Sequence, residues 1–280
     1  MYVPTDYCIV GFPKCATTAL ARLFEAHPDC HLAKLNGRYE SPYFRLGDLD
    51  PSSDYKRGKI NGHKYAAYAN SLEQMDRIYT SNPDALFVFC VRSSRSVLFS
   101  WWKMHRRVAH RNLPHHPINQ DEERRHFHLN CTPEEYFARF ASLWMRYGEK
   151  IERFRDRFPD GRFSVVSQER LARDPSGVMR NLLGTLGVEA TSQYLESLPA
   201  GHEAKGDKIR KEISLSADVS RKLKQLDEEL DAVLETLPQQ QNLTTHAQPP
   251  QRLKPLSLLR GLIGRRSRSD AQGERISSES

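Results

Sequence analysis

The chain contains no run of the roughly 18 apolar residues that a membrane-spanning helix needs. Its first stretch, MYVPTDYCIV, lacks the basic segment and long apolar core of a secretory signal. It enters a predicted strand almost at once, and the two absences together point to a cytoplasmic protein. The five cysteines are Cys8, Cys15, Cys30, Cys90 and Cys131, an odd number with no CxxC pair. Neither a disulfide framework nor a zinc site is expected from them. Cys8 and Cys90 lie in apolar runs and read as small buried hydrophobes, whereas Cys15 sits in a loop, where a reactive thiol and a plain small side chain are both open readings. No internal repeat is visible. What remains is 280 residues, 38% hydrophobic and 28% charged, enough for one large domain or two small ones with a sizeable core. The net charge of +7 suggests anionic ligands, although part of the excess belongs to the C-terminal tail.

Strands and helices alternate. DYCIVGF is a short β-branched run ended by Gly11 and Pro13 and predicts a buried strand. TTALARLFEAHP follows with helical spacing, with Thr17 or Thr18 as its cap and Pro28 as its stop. A second strand runs from Ala85 to Val91, apolar throughout, as suits a parallel sheet covered on both faces. A helix over RSVLFSWWKMHRR comes next, and residues 109–130, rich in His, Pro and Asn, read as a long loop. Residues 131–159 predict a single strong helix with Thr132 as N-cap, Pro133 in its first turn and Glu135 completing a capping box. RFSVVSQE predicts a third strand. A short helix capped by Asp174 and stopped by Gly187 follows, then an amphipathic helix over SADVSRKLKQLDEELDAVLETL. The expected architecture is α/β, a central parallel sheet flanked by helices, over residues 1–237. Residues 238–280, poor in apolar residues and rich in Gln, Pro, Ser and Arg, predict a basic disordered tail. Within it LKPLSLLRGLIGRRSRS mixes Leu and Ile with Arg, a pattern that fits weak contact with a membrane surface as well as a solvated tail.

Between the first strand and helix lies GFPKCATTAL. A loop in this position presents free N–H groups and the positive end of a helix dipole to an anion. It is not the common nucleoside-triphosphate loop, in which a glycine and then lysine immediately precede the hydroxyl residue: Lys14 comes early and no second glycine follows. A triphosphatase also needs a carboxylate for magnesium, often at the end of a neighbouring strand. Here the second strand ends in Arg92, followed by Ser93 and Ser94, a composition that repels a metal ion and attracts an anion.

PKCATT resembles the 5′-phosphosulfate loop of the sulfotransferases that use 3′-phosphoadenosine 5′-phosphosulfate (PAPS), written P-K-x-[GA]-T-[TS]. VRSSRSVLFS resembles that family's 3′-phosphate site, R-x-P-x-x-R-x-x-S, with Arg92 and Ser100 at the matching positions and Ser94 in place of the usual Pro. The resemblance implies that Pro13, Lys14, Cys15, Ala16, Thr17 and Thr18 hold the 5′ end of the donor and that Arg92 and Ser100 hold its 3′-phosphate. A late K-G pair, Lys205 and Gly206, with Lys208 nearby, matches a segment that covers the cofactor in family members. It further implies a P-loop-like sulfotransferase fold, with PAPS as donor, 3′-phosphoadenosine 5′-phosphate (PAP) as product and no metal.

Sulfuryl transfer needs a cation at the leaving oxygen and a base for the acceptor proton. Glu40, in YESPYF, matches the base of the K-E-x-x-[YF]-F segment found in the carbohydrate sulfotransferases related to those acting on heparan sulfate. Tyr43 and Phe44 match too, while Tyr39 replaces the lysine. INGHKYAAY resembles the family's G-E-K-[ST]-P segment and implies a catalytic role for Lys64. His63 stands where the acidic residue usually is, and Ala66 and Ala67 replace the small polar residue and the Pro. His63 is therefore the rival base, with His105 behind it. His110, His115, His116, His126 and His128 have no regular metal-ligand spacing; most are expected to face solvent, and the other open reading is that some line the acceptor cleft. Tyr43, Phe44, Tyr65, Tyr68, Trp101 and Trp102 read either as core or as a stacking surface for an acceptor. The expected acceptor is a hydroxyl or amine, in a carbohydrate or small molecule, and no nucleic-acid partner is implied. A catalytically silent nucleotide-binding protein and a magnesium-dependent kinase are the alternatives.

Overall fold

The structure is a computed structural model that describes residues 5–44, 54–199 and 213–244. The Lys205–Gly206 pair, Lys208 and the Leu/Arg-rich tail segment lie outside the described residues.

Three apolar five- or six-residue runs form the middle of one sheet: β1 (Tyr7–Gly11), β4 (Leu86–Val91) and β5 (Phe163–Ser167), buried at every position. Two shorter strands, β2 (Cys30–Leu32) and β3 (Ile60–Lys64), extend one edge, and β6 (Asn242–Leu243) closes the other. The order is β2-β3-β1-β4-β5-β6, with every pairing parallel. Strands without a solvated face cannot alternate polar and apolar residues, which is why the central ones read as unbroken apolar runs. The compact unit runs from Met1 to Thr245, so β6 belongs to it although the sequence expectation ended the domain at residue 237.

Helices cover the sheet: α1 (Thr17–Ala26), α2 (Leu72–Ser81), α3 (Ser94–Arg111), α4 (Glu122–Asn130), α5 (Pro133–Trp144), α6 (Tyr147–Arg157), α7 (Gln168–Arg173), α8 (Pro175–Thr185), α9 (Ser192–Ser197) and α10 (Ala217–Glu235). Their caps follow local chemistry. Thr132 and Glu135 form the expected capping box, and Asp174 Oδ1 accepts from the Gly177 amide at 2.8 Å.

Two expectations are corrected. Residues 109–130 are not one loop: α3 continues to Arg111, and α4 starts at Glu122 behind the N-cap Asp121, whose side chain accepts from the Arg124 amide at 2.9 Å. Glu122 and Glu123 then lie at the helix's positive end, and His128 is buried. The strong helix over 131–159 is two helices, broken at Met145–Arg146, where the Tyr147 amide turns back to the Met145 carbonyl at 2.7 Å. The break sets Tyr147, Gly148, Ile151 and Phe154 into the core. At Gly148 a Cβ would come within 2.9 Å of the Glu229 carbonyl on α10, so the two backbones meet only because glycine is there.

Candidate active site

Strand β1 lies between β3 and β4, and the chain leaves β1 towards β2 at one edge but leaves β3 across to β4 on the other side of β1. The crevice at the carboxyl ends of such strands is where ligands bind in open parallel sheets. Three expected site segments emerge there: the loop after β1, Lys64 as the last residue of β3, and Arg92 directly after β4.

The loop begins by close approach. A Cβ on Gly11 would lie 2.6 Å from the Ala69 Cβ and 3.3 Å from the Ala66 carbonyl, so the loop after β1 runs against the segment after β3. Lys14 and Ala16 then take positive φ values, 67° and 65°. That conformation is uncommon and costly outside glycine, and such residues cluster at ligand-binding sites. Ala16 is the N-cap of α1, and no side chain caps that helix end, nor does an acidic residue sit in its first turn. Neither Thr17 nor Thr18 is the cap: Thr17 is the first helical residue and is buried, and Thr18 is half-buried. The Cys15 side chain turns inward, 1% exposed, with its Sγ 3.6 Å from the Pro13 carbonyl and 3.9 Å from the Tyr147 hydroxyl. Burial pushes its thiol up to about 12, which leaves it protonated and inert.

Lys14 reaches α3. Its Nζ lies 3.5 Å from Met104 Sδ and 5.7 Å from the centre of the Trp101 ring, and among the described residues no carboxylate pairs with it. Burial lowers its pKa, and the charges of Arg107 and Arg92 lower it further. Lys14 therefore stands in the loop before an uncapped helix end, with the charges of Arg107 and Arg92 acting on it. This is a donor set for a multiply charged anion, and it fits the two phosphates and the sulfuryl group of PAPS. Met104 and Arg107 are additions to the expected site. They share with Ser100 one face of α3, at i, i+4 and i+7, a signal that the periodicity contains once Ser100 is placed. Ser100 is half-buried on that face, and Arg92 is 7% exposed.

The replacement of proline by Ser94 has a structural counterpart. Ser94 is the first residue of α3, where proline needs no hydrogen-bond acceptor. Serine does, and Asp227 of α10 accepts from its amide at 2.8 Å.

Glu40 pairs with Lys64. The Glu40 and Lys64 backbones form an isolated parallel bridge, Lys64 Nζ donates to Glu40 Oε1, and the Ala66 amide donates to Glu40 Oε2 at 3.2 Å. The Lys64 side chain is wholly buried while that of Glu40 is 51% exposed, so the pair presents a carboxylate outward on a buried ammonium. Burial raises the Cys90 thiol, Cys15 raises it further, and the charge of Lys64 opposes them.

His63 points the other way, because neighbours on a strand alternate faces. It is 0% exposed, with Nδ1 2.9 Å from the Tyr55 hydroxyl and Nε2 3.4 Å from Cys8 Sγ, among the rings of Tyr43, Phe44 and Tyr68. Burial pushes its pKa down to about 3. His105 is 8% exposed, its Nδ1 2.8 Å from the Tyr136 hydroxyl, and burial holds it down to about 3. His128, one of the histidines of which most were expected to face solvent, is 4% exposed in the wall of a cleft. Among the described residues no group of three or more His, Cys, Asp or Glu side chains is placed to hold a metal ion.

The family model described as "Sulfotransferase domain" matches residues 4–236, from the strand before the loop to the end of α10. The chain belongs to the sulfotransferase family. It is a transferase of the sulfotransferase type, and members of that family use PAPS as donor and release PAP. Among solved structures, a sulfotransferase from Alicyclobacillus acidocaldarius is 20% identical, with a TM-score of 0.56 over 84% of this chain and 97% of that one. The sulfotransferase domain of the Synechococcus PCC 7002 olefin synthase is 16% identical, with a TM-score of 0.52 over 82% of this chain and 96% of that one. These likenesses concern the fold of a sulfotransferase. No curated protein matches the chain in sequence. Among the described residues no helix is long and apolar enough to cross a membrane.

Proposed function

We propose that this sulfotransferase moves the sulfuryl group of PAPS to a hydroxyl or amine, probed first on carbohydrates, with Glu40 as general base and Lys14 as the cation at the leaving oxygen. The observation that carries the reading is the half-exposed Glu40 carboxylate held on the buried Lys64 beside the loop that bears Lys14. PAPS, when bound, supplies the sulfuryl group and leaves as PAP.

The chain's own residues divide the work as follows. Arg92, Arg107 and Ser100 fix the 3′ end, while the first-turn amides of α1 and Thr18 hold the 5′ end. Lys14 meets the negative charge that grows on the leaving oxygen. Its half-buried position strengthens that attraction and costs no solvent reorganisation at the moment of transfer. Lys64 Nζ and the Ala66 amide each hold one carboxylate oxygen of Glu40, and this fixes the carboxylate's orientation. Glu40 takes the acceptor proton as the acceptor oxygen or nitrogen attacks sulfur, and it returns that proton to solvent. His63 is assigned to packing, since both of its ring nitrogens are engaged in the core.

Glu40→Gln keeps an acceptor for Lys64 but cannot take a proton. The expected result is PAP binding unchanged and kcat lower by about 10²–10⁴-fold. Turnover at the wild-type rate would remove Glu40 from the chemistry.

A further inference from the structure

Beyond the donor site, a cleft of about 640 Å³ opens between α3, the 112–121 connection, α4 and α5. Two rings stand between the cleft and Lys14. Lys14 Nζ lies over Trp101, Trp101 packs on His105 at 4.9 Å between centroids, and His105 lines the cleft. Across it stand Phe127 and Phe140, and Arg139 lies over both, its guanidinium 4.6 Å from the first ring centre and 5.7 Å from the second. A guanidinium held close to aromatic rings keeps its N–H groups available for forked bonding to a carboxylate or sulfate. Arg139 and Arg124, the second arginine of the cleft, both line it and are both exposed. The acidic lining does not reverse the sign. Asp121 is committed to capping the Arg124 amide, Glu123 is exposed, and the charges that act on His128 are those of Arg139, Arg124 and His116, all of which push its pKa down after burial does. His128 Nδ1 is buried and has no hydrogen-bond partner, a polar atom in the cleft wall that the protein leaves unmatched.

We infer that this cleft holds the acceptor and selects ring compounds that carry a negative charge, with Arg139 and Arg124 binding the anionic group and Phe127 and Phe140 the ring face. The inference rests on the sulfotransferase reading above. It names the acceptor as an anionic ring compound, of which a uronic acid glycoside and a hydroxyaryl carboxylate are two simple forms.

The probes are two matched pairs that differ in the carboxylate: p-nitrophenyl β-glucuronide against p-nitrophenyl β-glucoside, and 4-hydroxyphenylacetate against 4-ethylphenol. Each is titrated calorimetrically into the full chain without nucleotide, and PAP is titrated separately. At least one anionic probe should bind about tenfold tighter than its neutral partner. That preference should vanish in the Arg124→Gln/Arg139→Gln double variant and persist in Arg139→Lys, with PAP affinity the same in all three proteins. Equal affinity within both pairs, absence of binding by all four, or a preference that survives in the double variant would overturn the assignment. The probe titrations decide the cleft on their own. A failure of PAP to bind the wild type counts against the donor site and leaves the cleft result readable.

Discussion

Ala16 has the backbone of a glycine and the side chain of an alanine. At φ 65° its Cβ crowds the following carbonyl, and Ala16→Gly removes that contact. The expected gain, after the greater freedom of glycine in the unfolded chain is set against it, is about 0.5–1 kcal/mol in urea unfolding. A loss of stability would mean that the Cβ packs favourably. Lys14→Ala acts on chemistry instead: transfer should fall by at least about 10²–10³-fold, with the midpoint of thermal unfolding little changed, because the lysine has no ion-pair partner among the described residues to lose. Legibility at this scale was uneven. Lys14 and Arg92 stood out because cations replaced a glycine-lysine step and a magnesium carboxylate. Met104 is an ordinary helix residue until the structure sets it beside Lys14, and Arg107 until its charge is seen to act on that lysine. The Glu40–Lys64 pair joins residues 24 apart in sequence, and no local periodicity reports such a pairing.

At the scale of elements, α3 carries the most consequence. Its first amide depends on a carboxylate from α10, so Ser94→Pro, a change that suits the first position of most helices, should here cost about 1–3 kcal/mol by leaving Asp227 without its donor. In the Ser94→Pro background Asp227→Ala should cost less than it does alone. A double-mutant cycle by urea denaturation measures that coupling, and strict additivity would show that the two residues do not interact. The strands were legible because both faces of the sheet are covered and each central strand is a continuous apolar run. Helix α4 was not, because EERRHFHLN is polar at most positions and its start is marked only by Asp121 and the acidic residues after it. The division between α5 and α6 was also hidden: Met145 and Arg146 are good helix formers, and the break is imposed by the packing of Tyr147 and Gly148 against the core.

The whole molecule should be acid-sensitive. His63 is folded as a neutral ring with a pKa of about 3, below the unfolded value of roughly 6.5. A depressed histidine contributes stability that is fully present above the unfolded pKa and is lost as pH falls towards the folded one. Near pH 5 that loss is about 2 kcal/mol for this ring alone, and His105 and His128, at about 3 and about 4, act in the same direction. His63→Asn keeps a polar partner for Tyr55 but cannot take up the proton. Its unfolding free energy should be lower than wild type at pH 7.5 and fall less steeply between pH 6.5 and pH 5. An unchanged slope would show that His63 does not take up a proton on unfolding. The parallel sheet and its phosphate-type loop were readable from strand composition and one short motif. The cleft beyond α3 was not, because it is assembled from α4, which the sequence hid.

The central claim is a metal-independent site for PAPS and PAP at the carboxyl ends of β1 and β4. Its most direct test is thermal unfolding of the full chain titrated with PAP in EDTA, beside ATP with magnesium, in wild type and Lys14→Ala. A ligand that binds only the folded state raises the midpoint by mass action. The account predicts a saturable rise with PAP in EDTA, a weaker one in Lys14→Ala, and little with ATP and magnesium. A rise with ATP and magnesium alone would contradict it and make the loop a triphosphate site.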